Sequence, residues 1–219
     1  MKKNTSTLLL FFALAIGLVA CNKSMMTADR EALMYKYGIR DPEIESKESI
    51  LVYARSIQID TDNIYAYSDS TTHSEVFKSK LGQPELDFYN KDGYLMNYRK
   101  QNKCNAQNVG LIQSLRSNKN ITVDSSKNIF GYISKLRTLD NKDISRDEFK
   151  DYDYYMVIYW SKWVGMADGT HVPMWEKEAK KKTGLRIKVI AVTGDYMEYW
   201  HPSKKSMVKI YSEIFMAGK

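Results

Sequence analysis

The chain has 219 residues, 33 basic against 26 acidic side chains for a net charge of +7, and 43% hydrophobic residues. That is enough apolar chain for one packed domain with a tether, a size that buries roughly 70% of its unfolded surface. The basic charge is interspersed and forms no stripe interleaved with aromatics, so the pattern excludes a nucleic-acid-binding face.

Lys2 and Lys3 precede a stretch without polar or charged side chains over 8–20. A bilayer-spanning helix takes roughly 20 residues, so this stretch is too short to span and fits the apolar part of a removable signal. It ends in Leu18-Val19-Ala20-Cys21, which resembles the lipobox cut by the lipoprotein signal peptidase. The resemblance implies removal of residues 1–20 and acylation of Cys21, with palmitate-type chains holding the protein at a membrane. Several acyl chains on one residue meet the two-signal requirement for a stable anchor. No later stretch approaches 18 apolar residues. Asn22 stands where an Asp would resemble an inner-membrane retention signal, which favours the outer membrane.

Residues 21–42 read as lipid anchor and tether, and 43–219 as one α/β domain. Pro42 opens a helical pattern with Ile44, Ile50, Leu51, Ala54 and Ile57 on its apolar face. A short strand follows at 63–67, then a helix at 73–81 around Val76, Phe77 and Leu81. Two strand-like runs, 84–89 and 94–98, flank Asn90-Lys91-Asp92-Gly93, and Asp-Gly between such runs signals a hairpin. Helices are expected at 105–116 (Val109, Ile112, Leu115) and 126–139 (Ile129, Ile133, Leu136), with a charged connector over 140–149. The continuous apolar run at 154–160 predicts a strand buried on both faces. A helix over 173–182 would start with Pro173 in its first turn, where a missing N–H costs nothing, and end at Lys180-Lys181-Lys182 and Gly184. A second buried strand at 187–193 makes this a parallel crossover unit. A last helix at 203–216 shows Met207, Ile210, Tyr211, Ile214 and Phe215 along one face.

The segment Tyr159-Trp160-Ser161-Lys162-Trp163-Val164-Gly165-Met166-Ala167 resembles the active-site region of the thioredoxin-like superfamily. Members carry Phe-Trp-Ala-x-Trp-Cys-Gly-Pro-Cys at the end of a buried strand. The aromatic, Trp, small, Trp and Gly positions match in order, while Val164 and Ala167 stand where the family has its two cysteines and Met166 where it has proline. The strand at 187–193 with Asp195 just beyond is similar to the next family strand. The family's proline-led hairpin does not follow it. A similar hairpin lies upstream at Gly82-Gln83-Pro84, so the resemblance implies a thioredoxin-like sheet in permuted order, flanked by helices and extended by additional N-terminal helices. An unrelated α/β sandwich with a common hairpin gives the same pattern.

Dithiol exchange needs an attacking thiolate and a resolving thiol held close. Val164 and Ala167 supply neither, so a redox-inactive domain is expected. Cys104 lacks a peroxiredoxin-type context and reads as an incidental thiol. No metal or cofactor signature is present, since Asp168 and His171 make at most half a metal site. The remaining candidate is an aromatic binding surface of Trp160, Trp163, Tyr196, Tyr199 and Trp200, with His171 beside it, at the sheet edge where α/β proteins bind ligands. It suits a peptide or an envelope-protein partner. Two alternatives stand: an enzyme outside the dithiol class using Lys162, Asp168 and His171, and a structural accessory subunit of an envelope complex.

Overall fold

Two long apolar runs form the middle of a mixed sheet, and the other described elements are arranged around them. A computed structural model describes residues 36–77, 84–98, 108–115, 121–181, 184–203 and 207. In chain order the elements are β1 (Ile44–Glu45), α1 (Lys47–Ser56), β2 (Ile64–Tyr67), α2 (Ser70–Phe77), β3 (Glu85–Asn90), β4 (Tyr94–Met96), α3 (Asn108–Ser114), β5 (Val123–Asn128), α4 (Ile129–Ile133), β6 (Leu136–Thr138), β7 (Tyr154–Trp160), α5 (Met166–Lys180), β8 (Ile187–Thr193) and β9 (Tyr196–Met197). Short 3-10 turns occupy 61–63, 146–149, 162–164 and 198–200. Cys21, Cys104 and most of the helix expected at 203–216 lie outside the described residues; Met207 is buried and its N–H reaches the Ser203 carbonyl.

The seven-stranded sheet runs β5-β4-β3-β7-β8-β2-β6. β2, β8 and β7 are parallel neighbours, with Tyr154 opposite Ile187 and Trp160 opposite Thr193. β3 joins antiparallel to β7, Glu85 opposite Tyr159, and β4 joins antiparallel to β3. Three parallel strands bordered by an antiparallel hairpin are compatible with the expected thioredoxin-like arrangement, and the hairpin precedes β7 in the chain.

Side chains alternate across β7, so one strand serves two cores. Met156, Ile158 and Trp160 meet Leu86, Phe88 and Ala191 beneath α1, α3 and α5. Tyr155, Val157 and Tyr159 meet Tyr65, Tyr67, Val192 and the short α4 on the other face. Met156, Val157 and Ile158 are completely buried, each worth roughly 1.5–3 kcal/mol of apolar transfer. The two outer strands avoid further pairing differently: β6 is only three residues long, and β5 is largely polar and exposed.

Several elements depart from the sequence pattern. Ile44 sits in β1, and the helix behind it begins at Lys47, capped by Ser46 Oγ accepting the Ser49 N–H at 3.1 Å. The single helix expected over 126–139 is instead β5, α4 and β6. A bulge between Tyr94 and Leu95 brings Val123–Asn128 into the sheet, and Asn128 Oδ1 then caps α4 through the Phe130 N–H. Ile129, Ile133 and Leu136 are all buried as the helical spacing requires, yet Leu136 is buried by pairing with Tyr67. Phe149 within the expected charged connector is completely buried. Finally, α5 starts at Met166, seven residues before the expected 173, and carries Pro173 inside it, so Asp168-Gly169-Thr170-His171 is part of the helix. The missing Pro173 N–H leaves the Gly169 carbonyl without its intrahelical partner.

Candidate functional site

The parallel pair β7 and β8 ends at one edge of the sheet, where the chain turns through 161–165 into α5. Two carboxylates hold this turn from inside. Asp168 Oδ2 accepts the Ser161 N–H at 2.9 Å, and Asp195 Oδ2 accepts the Lys162 N–H at 2.8 Å and the Thr193 hydroxyl at 2.6 Å. The Gly194 N–H donates to the Trp160 carbonyl at 2.7 Å and ties the two strand ends together.

Both carboxylates are shut away from water, Asp168 at 0% and Asp195 at 1% exposure. Burial pushes Asp168 well above the usual carboxylate range; the Ser161 N–H opposes this and the charge of Asp195 adds to it. Burial also raises Asp195 to about 6, against the pull of the Thr193 hydroxyl and the Lys162 N–H. Asp168 Oδ1 has no hydrogen-bond partner among the described residues. Tyr53 on α1 donates its hydroxyl to the Gly165 carbonyl at 3.1 Å, and burial followed by the charges of Asp168 and Asp195 raises its pKa. Chemically, this set fixes the turn, and burial favours the protonated form of Asp168; neither carboxylate is open to solvent.

From outside, the turn is covered by the chain preceding α1. The Arg40 N–H donates to the Trp163 carbonyl at 2.8 Å. Ile44 and Glu45 pair in parallel with Tyr196 and Met197. Glu45 takes the Lys162 ammonium with both oxygens, at 2.8 and 2.7 Å, and Ser49 Oγ adds a contact to the same ammonium at 2.7 Å. The pair is largely enclosed, with 23% of the Lys162 side chain and 7% of that of Glu45 exposed. Gly165 has φ of +72°, and a Cβ there would lie 2.5 Å from the Gly38 carbonyl oxygen. Only glycine combines that conformation with so close an approach.

The predicted aromatic surface divides in two. Trp160 is completely buried, stacked on Tyr53 with ring centroids 6.1 Å apart, and therefore belongs to the core. Trp163 is half-buried in the turn. Tyr196 is buried, and with Tyr67 and Trp200 it surrounds the His73 ring, whose Nε2 lies 2.9 Å from the Gly194 carbonyl. Burial pushes the His73 imidazole down to about 4. Tyr199 and Trp200 are half-buried and both donate to the Tyr67 carbonyl. His171 is buried beside the Trp175 ring. Of the six predicted surface residues, Trp163, Tyr199 and Trp200 are partly exposed, whereas Trp160, His171 and Tyr196 are buried.

The alternative enzyme set takes separate partners: Lys162 is bound to Glu45 and Ser49, Asp168 to Ser161, and His171 faces Trp175. Among the described residues no group of three or more His, Cys, Asp or Glu is placed to hold a metal ion, and no helix is long and apolar enough to cross a membrane. Sequence reasoning missed Glu45, Ser49, Tyr53 and Arg40. They reach the turn from more than a hundred positions away, and no local motif marks that pairing.

Comparison with known proteins gives no match: no family model, no curated protein and no solved structure is significantly similar to the chain.

Proposed function

We propose that this chain is a lipoprotein of the cell envelope, anchored through acylated Cys21 at the outer membrane, whose redox-inactive thioredoxin-like domain binds a peptide or another envelope protein. The anchor reading is supported by the order of Lys2-Lys3, an apolar stretch, Leu18-Val19-Ala20 and Cys21. The observation that carries the domain reading is the setting of Val164 and Ala167. A buried parallel strand ends at Trp160, a turn follows, a helix starts at Met166, and Glu85 of the neighbouring antiparallel strand lies opposite Tyr159. A thioredoxin carries its dithiol in such a setting, and this chain has no thiol at either position. What the edge retains is backbone and the partly exposed aromatic residues Trp163, Tyr199 and Trp200, which suit recognition.

The test is cross-linking in intact envelopes followed by recovery of the solubilised protein, with Trp163→Ala in parallel. A partner recovered with the wild type and depleted with the variant is the expected result. Equal recovery with both chains counts against the binding surface, and disulfide reductase activity of the purified protein counts against the redox-inactive assignment.

A further inference from the structure

We infer that residues 37–45 are a displaceable strap, seated on the edge formed by the 161–165 turn and β9 as a partner peptide would be. This rests on the reading of that edge as a partner-binding surface and names how the surface is regulated: a partner binds by taking the strap's place.

Three contacts define the seat. Gly38 lies against Gly165 so closely that a side chain at position 165 would collide with its carbonyl. The backbone of Arg40 bonds the Trp163 carbonyl at 2.8 Å. The segment then adds a two-residue strand, Ile44 and Glu45, to Tyr196 and Met197. The seat opens on a left-handed turn at Gly38 (φ +65°) and closes on the short strand Ile44–Glu45; a backbone hydrogen bond and pairing to a strand edge are features of peptide recognition by strand addition. The side-chain chemistry is equally specific. Lys162 receives a carboxylate at the position of Glu45, supported by Ser49. The ligand class follows: a peptide that turns at a glycine beside Gly165, as Gly38 does with φ of +65°, and then enters a short strand with an acidic residue at the Lys162 contact.

The strap is also held lightly enough to leave. Its sheet contribution is one pair of two-residue strands, while β7 and β8 pair over seven positions. Ile44 is 42% exposed. Its anchors among the described residues include the Glu45–Lys162 ion pair and the Arg40–Trp163 backbone bond, and elements with few buried apolar contacts open well below the global unfolding free energy.

The experiment uses the purified full chain and, as probe, a fluorescent synthetic peptide of residues 36–46 added in trans. Hydrogen exchange is followed at the Arg40 amide and across β8. In Glu45→Gln, the Arg40 amide exchanges about ten- to a hundredfold faster while β8 keeps its wild-type rates, the factor expected from losing a charged hydrogen bond. The same variant binds the peptide at least about tenfold more tightly than the wild type does, since the seat is no longer occupied. Ser49→Ala, a milder change that retains the ion pair, shifts both readouts in the same direction by less. A peptide carrying Gln at the position of Glu45 loses the gain. Arg40 exchange in step with β8 in both variants overturns the inference, as does a peptide that binds wild type and variants alike. Strap opening and peptide binding combined with no Trp163-dependent partner in envelopes would leave the strap standing and remove the partner reading instead.

Discussion

Asp168 and Ser161 face each other across the turn between β7 and α5: one carboxylate oxygen accepts the Ser161 N–H at 2.9 Å, and the other lies buried without a hydrogen-bond partner among the described residues. Burial raises this carboxyl well above its usual range. A folded-state pKa above the unfolded one means the folded protein binds the extra proton, so stability is fully present at low pH and declines as pH rises through the folded value. Asp168→Asn keeps an oxygen for the Ser161 N–H and removes the titration. Thermal melting between pH 4 and 9 should show the wild type falling relative to the variant as pH rises. Parallel curves would mean that Asp168 titrates normally.

Glu176 on α5 gives a second, spatially separate case. Its Oε2 accepts the Asp60 N–H at 2.9 Å, and burial raises it from the usual 4.5 to about 7, with the Asp60 N–H and Lys180 opposing. The sign is the same: the wild type loses stability between about pH 4.5 and 7 and then levels off. Glu176→Gln should match the wild type near pH 4 and exceed it by roughly 2–3 kcal/mol above pH 8 in urea titrations. A gap of constant size at all pH values would sink this assignment.

The two tryptophans of the turn should separate cleanly. Trp160 is fully enclosed and stacked on Tyr53, so Trp160→Ala should cost about 3–5 kcal/mol, a large share of what holds a domain together. Trp163 is half-buried, and Trp163→Ala should change stability by no more than about 1 kcal/mol. Chemical denaturation of both variants checks the contrast. Only the second is a fair probe of binding, because the first disturbs the fold.

Cys21→Ala tests the anchor. Without the thiol no diacylglycerol can be attached, so metabolic labelling with radioactive palmitate should drop to background and the chain should leave the membrane fraction. Undiminished labelling of the variant would refute the assignment of Cys21.

The central unit of the sheet was legible because its signal is local and strong. The apolar runs ending at Trp160 and Thr193 are long enough to be strands and nothing else, and Asp92-Gly93 marks its turn directly: Gly93 has φ of +85° and a Cβ there would meet the Phe130 ring at 2.9 Å. The region from Val123 to Thr138 was not legible. Its burial at Ile129, Ile133 and Leu136 suits one helix, yet two strands flank a five-residue helix there because pairing with β4 and β2 decides the conformation. For helix α5 the sequence suggests a start at Pro173, whereas the proline sits in the interior of the helix. At the site, type and position single out Trp163, Tyr199 and Trp200 in the sequence, and the fold leaves them partly exposed. The grip of Glu45 on Lys162 was not legible, since a contact spanning 117 positions leaves no spacing to read.

The strap has a mechanical consequence. For a chain tethered at its N-terminal side, any pull from the membrane enters the domain at Gly38 and meets the Arg40–Trp163 hydrogen bond first, then the β1–β9 pair with the Glu45–Lys162 contact. These links lie in series ahead of the sheet. On the proposed anchor and strap they would act as a fuse that yields under load and lengthens the tether while the central sheet stays intact, coupling tension at the membrane to exposure of the edge.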